Sequence, residues 1–358
     1  MNNLVWFRND LRVNDNSSLT NACAGEKVIA VHFFDPRHYA TGDFGFKKTE
    51  KYRAKFLIET IIELKKSLKK LNITLLVFKE KPEDIIPKIV AEHRIKNIYL
   101  QKEWTRDENQ VLDAVIASVP ALVNFEESYN QFLFHPKDIP YEGFEKIPEV
   151  FTQFRKKCEK YCQVRPIVAR PQNMSAKNLI KHTTTIPSLE DLGLSEFDMD
   201  SRTAFPFRGG ELNGLKRVQE YFWETEKLAY YKKTRNGLVG KDYSSKLSAW
   251  LANGSLSTRT IYWEVKRFEA DVKKNQDTYW LIFELLWRDF FRFTAIKHGK
   301  SLFLKQGIGE VWDRKYAENL KWFNKWKNGE TGQPFVDANM KELLLTGFMS
   351  NRGRQNVA

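Results

Sequence analysis

The chain has few cysteines, the residues that mark many secreted and metal-binding proteins. Among its 358 residues are three cysteines, Cys23, Cys158 and Cys162, and an odd number cannot form a fully paired disulfide framework. Cys158 and Cys162 lie four residues apart, but the segment around them holds no histidine to complete a metal site. We therefore predict free thiols and no metal site, with a redox or metal role as the alternative.

Long hydrophobic runs are also missing. The first residues, MNNLVWFRND, contain no basic stretch followed by an apolar one, so we expect no signal peptide. No segment approaches the roughly 18 uncharged apolar residues of a membrane span. With 42% hydrophobic and 29% charged residues, the composition is that of a globular protein, which we expect to be cytoplasmic.

The phosphate-binding pattern G-x-G-x-x-G is absent after the first predicted strand, where the sequence reads WFRNDLRVNDN. This absence argues against a nicotinamide-dependent enzyme. The surrounding pattern is nevertheless that of alternating strands and helices, which predicts a doubly wound parallel α/β sheet. A helix is predicted at 52–71, and short apolar runs predict strands at 4–7, 28–34, 73–78, 97–100 and 121–125.

Beyond residue 205 the apolar residues follow a helical period almost throughout. Helices are predicted at 212–231, 258–274 and 278–299. The length suits two domains. We predict an N-terminal α/β domain at 1–130, a linker at 131–205 and an all-helical domain at 206–358.

The net charge of +13 is concentrated in the predicted helical half. Residues 201–358 hold 28 Lys and Arg against 17 Asp and Glu, whereas residues 1–200 hold 30 against 28. Eight of the ten tryptophans also lie beyond residue 220. A basic surface suits a polyanion as ligand, and indole rings can stack on nucleic-acid bases or on a planar cofactor. The alternatives are a solvated basic surface and tryptophans that only fill the core.

One segment, YKKTRNGLVGKDYSSKLSAWLANGSLS at 231–257, has the composition of a phosphate site. Ser244, Ser245 and Ser248 surround a single cation, Lys246, just before a predicted helix. Hydroxyls, a lysine and free amides at a helix start are groups that bind a pyrophosphate. Spacing alone leaves open the alternative of a serine helix cap beside a solvated lysine.

YSSKLSAWLANGSLS resembles the flavin-phosphate segment of the photolyase/cryptochrome family. FELLWRDFFR (283–292) resembles that family's central helix beneath the flavin and the DNA lesion, and 331–358 resembles its last well-preserved helices. WFRNDLRVNDN is similar to its opening strand and loop. GFKKTEKYRAKFLIE, IPEVFTQFRKKCEK and SNRGRQ indicate one branch, the cryptochromes of the DASH class.

The resemblance implies a chemistry and two cofactors. FAD would be bound in a U shape in the helical domain. Light would drive electron transfer from reduced flavin to a cyclobutane pyrimidine dimer, preferentially in single-stranded DNA. A folate antenna, 5,10-methenyltetrahydrofolate, would lie between the domains.

The resemblance also implies cofactor contacts. Glu103 would contact the pterin, with an ordinary surface glutamate as the alternative. Arg354 would lie near the flavin. The remaining implied FAD contacts are Tyr231, Ser244, Ser245, Lys246, Leu247 and Ser248.

The implied catalytic residues are Glu284, Trp287 and Asn351. Glu284 and Trp287 lie three apart and share a helix face. In the family the carboxylate hydrogen-bonds a base edge and the indole stacks on it; without the resemblance, Trp287 would be a core residue. The same three residues are implied DNA contacts, together with Arg235, for which a surface salt bridge is the alternative, and Arg288, Phe291, Arg352 and Gln355.

Three features depart from the family. Tyr316 takes the place of the surface tryptophan of an electron-transfer chain, and Phe348 takes that of another tryptophan. Family members also continue for several helices beyond the position of Ala358. We expect a fragment of a longer protein with one cavity wall open, a naturally shortened protein being the alternative.

The leading hypothesis is a monomeric deoxyribodipyrimidine photo-lyase of the DASH type. One alternative is a blue-light photoreceptor that signals without repair. The other is a DNA-binding module that lacks a functional flavin. Flavin content and light-dependent repair would separate the three.

Overall fold

Five parallel strands form one sheet in the order β3-β2-β1-β4-β5. The computed structural model describes residues 1–42, 45–309, 315 and 318–358. The strand order, with crossovers to both sides of β1, confirms the doubly wound parallel sheet that the sequence predicts. The strands are β1 (Asn2–Trp6), β2 (Lys27–Phe33), β3 (Thr74–Phe78), β4 (Ile95–Gln101) and β5 (Asn124–Ser128).

Both faces of the sheet are covered. Side chains alternate along each strand, so Val5 and Phe7 enter one hydrophobic core and Leu4 and Trp6 the other. The first core contains residues of α1 and α2, and the second contains residues of α3 and α4. These helices are α1 (Ser17–Ala22), α2 (Lys51–Lys70), α3 (Pro82–His93) and α4 (Arg106–Ser118).

The fifth strand begins three residues later than the apolar run at 121–125 suggested. Leu122, which is 81% exposed, lies in the turn before the strand. β5 pairs only with β4, as the edge of the sheet, and its side chains are mostly exposed. Polar residues such as Glu126 and Glu127 can therefore occupy it, and hydrophobicity does not mark its position.

The chain beyond residue 205 is helical, as predicted, and one further helix, α5, lies in the connector before it. No helix in the described ranges is long and apolar enough to cross a bilayer. The helices are α5 (Phe151–Tyr161), α6 (Glu211–Val218), α7 (Tyr231–Thr234), α8 (Ser248–Asn253), α9 (Thr258–Asp271), α10 (Gln276–His298), α11 (Leu320–Asn328), α12 (Pro334–Thr346) and α13 (Asn351–Val357).

The prediction of one continuous helix at 212–231 is wrong. α6 continues into a π-helical turn, Gln219–Glu224, and the helix then ends. Glu226 has a φ of +48°, which a right-handed helix cannot accommodate. Buried apolar residues lie on both sides of this break, namely Tyr221, Phe222 and Leu228. The helical period of apolar residues therefore continues through the break, and the sequence gives no sign of it.

The connector between the halves packs against both. Phe132, Phe134 and Phe154 belong to the helical core, whereas Leu189 and Leu192 pack on the sheet. The predicted boundaries at 130 and 205 stay predictions.

A buried carboxylate ties the connector to the central helix, α10. Asp289 accepts hydrogen bonds from the backbone amides of Leu133 and Phe134, each at 2.9 Å. Burial raises the pKa of Asp289 to about 6. These bonds hold the connector against α10 at the point where it enters the helical core.

Buried polar contacts also join the loop after β1 to the helical half. Asp15 pairs with Arg259 of α9 at 2.7 Å, and Arg12 donates to the carbonyl of Gly254 at 2.7 Å. Gly254 ends α8 with a φ of +71°. A Cβ there would overlap the carbonyl of Asn9. The end of α8 is thus fixed against the N-terminal half.

Gly254→Ala is expected to lower the free energy of unfolding by about 3 kcal/mol or more, because left-handed strain adds to a backbone overlap. Gly240→Ala is the control. Gly240 has a φ of +85°, but a Cβ there meets no atom of the described chain within 4 Å. Its expected loss is only about 1–2 kcal/mol. Urea unfolding measures both, and equal losses would contradict this packing.

Candidate functional site

A cavity of about 1050 Å³ lies where the two halves meet. Its walls come from α2, the connector at 205–208, the loop at 243–249, α10 and the segment 346–351. The volume is at the upper end of the range for small-molecule sites. Elements far apart in the chain therefore build one site.

The cavity brings together ten of the predicted site residues from four separate stretches of chain. The lining includes Tyr231, Arg235, Ser244, Ser245, Lys246, Leu247, Ser248, Glu284, Asn351 and Arg354. Six other predicted residues are not among those that line it, namely Glu103, Trp287, Arg288, Phe291, Arg352 and Gln355. Tyr316 lies outside the described residues.

Lys246 is a buried cation at the wall of this cavity. It is 4% exposed, and its Nζ has no partner within the described part of the chain. The Nζ lies over the rings of Tyr243 and Phe348, 3.1 and 4.6 Å from their centroids. Burial lowers the pKa of Lys246 to about 7, against the opposing attraction of Glu342. A cation held at a cavity wall in this way suits an anionic ligand.

The backbone around Lys246 also presents donors. Lys246 has a φ of +61°, and Leu247 follows in the right-handed region with a φ of −74°. Such left–right pairs direct successive amides into an anion-binding concavity. The amides of Ser245, Lys246 and Leu247 donate to no acceptor in the residues that the structure covers. This chain conformation, together with the lysine, fits the phosphates of a dinucleotide.

Next to this loop, Tyr231 of α7 lines the same cavity as Ser245. Both residues are buried, and burial raises the pKa of Tyr231. Residues of α7 and of the loop therefore contribute to one wall of the cavity.

Glu284 and Arg235, predicted separately, form an ion pair. Arg235 Nη1 lies 2.7 Å from Glu284 Oε1, and both side chains are largely buried. Burial raises the pKa of Glu284, and the charge of Arg235 partly offsets the effect. A ligand that hydrogen-bonds to Glu284 must share or displace this guanidinium.

Trp287 packs against neighbouring rings on α10 and α5. It stacks on Phe151 with 3.6 Å between centroids, and on Phe291 with 5.4 Å. Phe291 itself is 62% exposed. The indole is therefore part of an aromatic stack that reaches the surface, and its contact with a base stays a prediction.

The predicted DNA contacts outside the cavity differ in their surroundings. Arg288 donates to the carbonyls of Gln131 and Leu251, and burial lowers its pKa. Arg352 donates to Asn236 at 3.0 Å, and Gln355 is exposed. Arg288 holds two buried segments together rather than extending into solvent, and the DNA contacts stay predictions.

Glu103 does not itself line the cavity and lies just beyond the carboxyl end of β4. It accepts hydrogen bonds from Asn9 at 3.2 Å and Gln101 at 2.8 Å. Ligands of open α/β sheets bind outside the carboxyl ends of the strands. The position is compatible with the predicted folate contact, which stays a prediction.

The cavity has an aromatic wall that includes Phe348, which the resemblance singled out, and further rings that the sequence patterns missed. Phe348 stacks on Phe205 with 5.6 Å between centroids and 12° between planes. Phe205 in turn contacts Trp250, as do Phe56 of α2 and Phe207. Isolated aromatic residues in a connector carry no local signal of this arrangement.

Comparison with known proteins identifies both halves. Residues 3–174 match the family model described as DNA photolyase, and residues 280–358 match the FAD binding domain of DNA photolyase. A cryptochrome DASH of Gloeobacter violaceus is 46% identical over 99% of this chain and 71% of that protein. A cryptochrome DASH of Xenopus laevis is 43% identical over 99% of this chain and 68% of the relative.

Solved structures agree with these matches. The Synechocystis sp. PCC6803 cryptochrome is 44% identical, with a TM-score of 0.94 over 100% of this chain and 74% of that one. A class III photolyase from Agrobacterium tumefaciens has a TM-score of 0.78 at 21% identity. The match covers 99% of this chain and 71% of the photolyase chain. The second likeness supports the fold alone.

Binding of FAD is expected to take up a proton above pH 7. In the protein without ligand, Lys246 has a pKa of about 7. A phosphate beside the amine would raise that pKa towards its ordinary value. The affinity for FAD is then independent of pH below pH 7 and falls by up to about tenfold per pH unit above pH 7. Titration calorimetry at pH 8 in two buffers of different ionisation enthalpy measures the uptake. Lys246→Arg, which stays charged, is the control; equal proton uptake in both proteins would exclude Lys246 as its source.

Proposed function

Because the chain belongs to the photolyase/cryptochrome family, in its cryptochrome DASH class, we propose that it repairs DNA with blue light. The proposed activity is that of a deoxyribodipyrimidine photo-lyase acting on cyclobutane pyrimidine dimers, preferentially in single-stranded DNA. One observation carries the proposal: a single cavity holds both the phosphate-type loop at Lys246 and the Glu284–Arg235 pair. A bound flavin and an extruded base would therefore meet in the same space.

The residues of the cavity fit FAD. Lys246 and the free amides beside it would offset the phosphate charge, and Ser244, Ser245 and Ser248 would donate hydroxyl hydrogens. Tyr231 would complete the same wall beside Ser245. When bound, FAD supplies the light-excited electron donor that this repair chemistry requires.

Glu284 would orient the damaged base. Its carboxylate has a raised pKa in a largely buried position, so its hydrogen bonds are strong. Arg235 would move from Glu284 towards a DNA phosphate as the base enters. Trp287, whose plane is fixed by Phe151, and Asn351 would flank the base.

Single-stranded DNA suits this arrangement because the lesion must leave its stack to enter a cavity. Extrusion from a duplex costs a few kcal/mol, and least where pairing is already absent. The excess of positive charge in residues 201–358 would attract the phosphate backbone. Lys232, over the ring of Trp280 at 4.3 Å, lies one residue beyond Tyr231 and adds to that charge.

The remaining parts of the proposal rest on the resemblance. Methenyltetrahydrofolate would bind near Glu103 as an antenna, and the protein would act as a cytoplasmic monomer. A second candidate function, a photoreceptor without repair, is favoured by one observation. Glu284 and Trp287 already have protein partners, Arg235 and Phe151.

A repair assay on a single-stranded oligonucleotide with one thymine dimer tests the proposal. Illuminated wild-type protein with reduced flavin is expected to restore the thymines. Glu284→Ala should reduce the rate at least about tenfold, because a hydrogen bond to a charged group contributes about 1.5–3 kcal/mol. The flavin spectrum should stay unchanged, since the carboxylate is not in the phosphate-binding loop.

Glu190→Ala, at an exposed position of the connector, is the matched control and should repair at the wild-type rate. Flavin-loaded wild-type protein without light-dependent repair would contradict the enzyme and favour the photoreceptor. Unchanged repair in Glu284→Ala would remove Glu284 from the mechanism.

A further inference from the structure

Arg217 of α6 is a buried arginine whose side chain is fully hydrogen-bonded. It is 1% exposed. Its Nε donates to the carbonyl of Ser245 at 3.1 Å, and Nη2 donates to the carbonyls of Lys241 at 3.1 Å and Ser244 at 3.2 Å. Three carbonyls of one loop thus converge on a single guanidinium.

The two remaining N–H groups bind carboxylates. Nη1 donates to Glu220 and to Asp242, each at 3.0 Å. A guanidinium has five N–H donors in a fixed plane, and Arg217 has five acceptors. Every donor therefore has a partner, and the loop from Lys241 to Ser245 is held in one orientation.

Aromatic rings and further ion pairs fix the guanidinium itself. It lies over the rings of Phe207 and Tyr221, 4.7 and 4.8 Å from their centroids. Both carboxylates that it binds are also paired with lysines, Glu220 with Lys241 and Asp242 with Lys227, each at 2.6 Å. The network is anchored on several sides.

This arrangement determines which way the loop amides point. In a trans peptide the N–H points opposite to the preceding carbonyl, and the described chain has no cis peptide. The carbonyls of Ser244 and Ser245 face Arg217, so the amides of Ser245 and Lys246 point away from it. Those amides find no acceptor within the described residues, and both residues line the cavity.

We propose that Arg217 is a positioning residue for the phosphates of the bound dinucleotide, acting through the 241–246 loop without touching the ligand. It turns partially negative carbonyls away from the phosphates and leaves partially positive amides facing them. The inference rests on the proposed binding of FAD and deepens it. Lysine cannot replace this arginine, because its three donors and single nitrogen cannot hold five acceptors in a plane.

The test compares two ligands with the same ring system. FAD carries the phosphates, whereas riboflavin does not. Flavin fluorescence titrations would give both dissociation constants for wild-type protein, Arg217→Lys and Arg259→Lys. Arg259, another buried arginine paired with Asp15, lies outside the cavity lining and controls for general destabilisation.

Arg217→Lys is expected to weaken FAD binding at least about tenfold, a loss of about 1.4 kcal/mol, with riboflavin affinity changed less than about threefold. Arg259→Lys should leave the ratio of the two affinities unchanged. Equal weakening for both ligands, or none, would overturn the positioning role. Wild-type protein that binds neither flavin would instead refute the proposed function.

A milder variant decides the question if Arg217→Lys fails to fold, as judged by circular dichroism. Asp242→Asn removes one charged acceptor of Arg217, and Asp242 is partly exposed, so the fold should persist. A loss of FAD affinity of about threefold or more, with riboflavin affinity retained, would support the proposal. An unchanged affinity ratio would overturn it.

Discussion

The candidate site depends on one buried lysine, Lys246, that has no ion-pair partner among the residues the structure describes. Burying an unpaired charge is unfavourable, and burial lowers the pKa of Lys246 accordingly. The backbone at this residue is left-handed as well, which adds strain of order 1 kcal/mol or more. A protein can retain such a residue only where the surrounding structure holds it. Here the preceding loop is bound to Arg217, and the following helix, α8, is fixed by Gly254 against the N-terminal half. An anion in the cavity would relieve the unfavourable burial of charge.

The cavity also depends on both halves of the chain. The family model of the FAD binding domain matches residues 280–358, which contain Glu284 and Asn351. The phosphate-type loop at 244–248 lies before that range, and α2 and the connector contribute further walls. The buried contacts of Asp15, Arg12 and Asp289 hold these parts together. The sheet therefore acts as a support for a site formed at its junction with the helices.

The sequence predicts most of the fold because the patterns involved are local. Apolar runs mark the strands β1 to β4, and a period of three to four residues marks α2, α9 and α10. Sequence patterns do not predict the features that tertiary contacts determine. The edge strand β5 carries polar residues, and the break at Glu226 lies inside a continuous apolar period. Similarly, SSKLS marks the phosphate-type loop, but nothing local distinguishes Arg217 from an ordinary helix arginine. The same limit applies to Trp287 and Arg288, whose partners Phe151 and Gln131 lie more than 130 residues away in the chain.

The absorption spectrum of the purified 358-residue chain is the most direct test of FAD binding in this cavity. Protein purified in the dark, or incubated with FAD and passed through a desalting column, should show the structured visible band of a bound flavin in stoichiometric amount. Lys246→Glu, which places a like charge beside the phosphates, should lose that band while the N-terminal domain stays folded. A wild-type chain that retains no flavin, or a Lys246→Glu variant that retains it fully, would contradict the assignment of this loop.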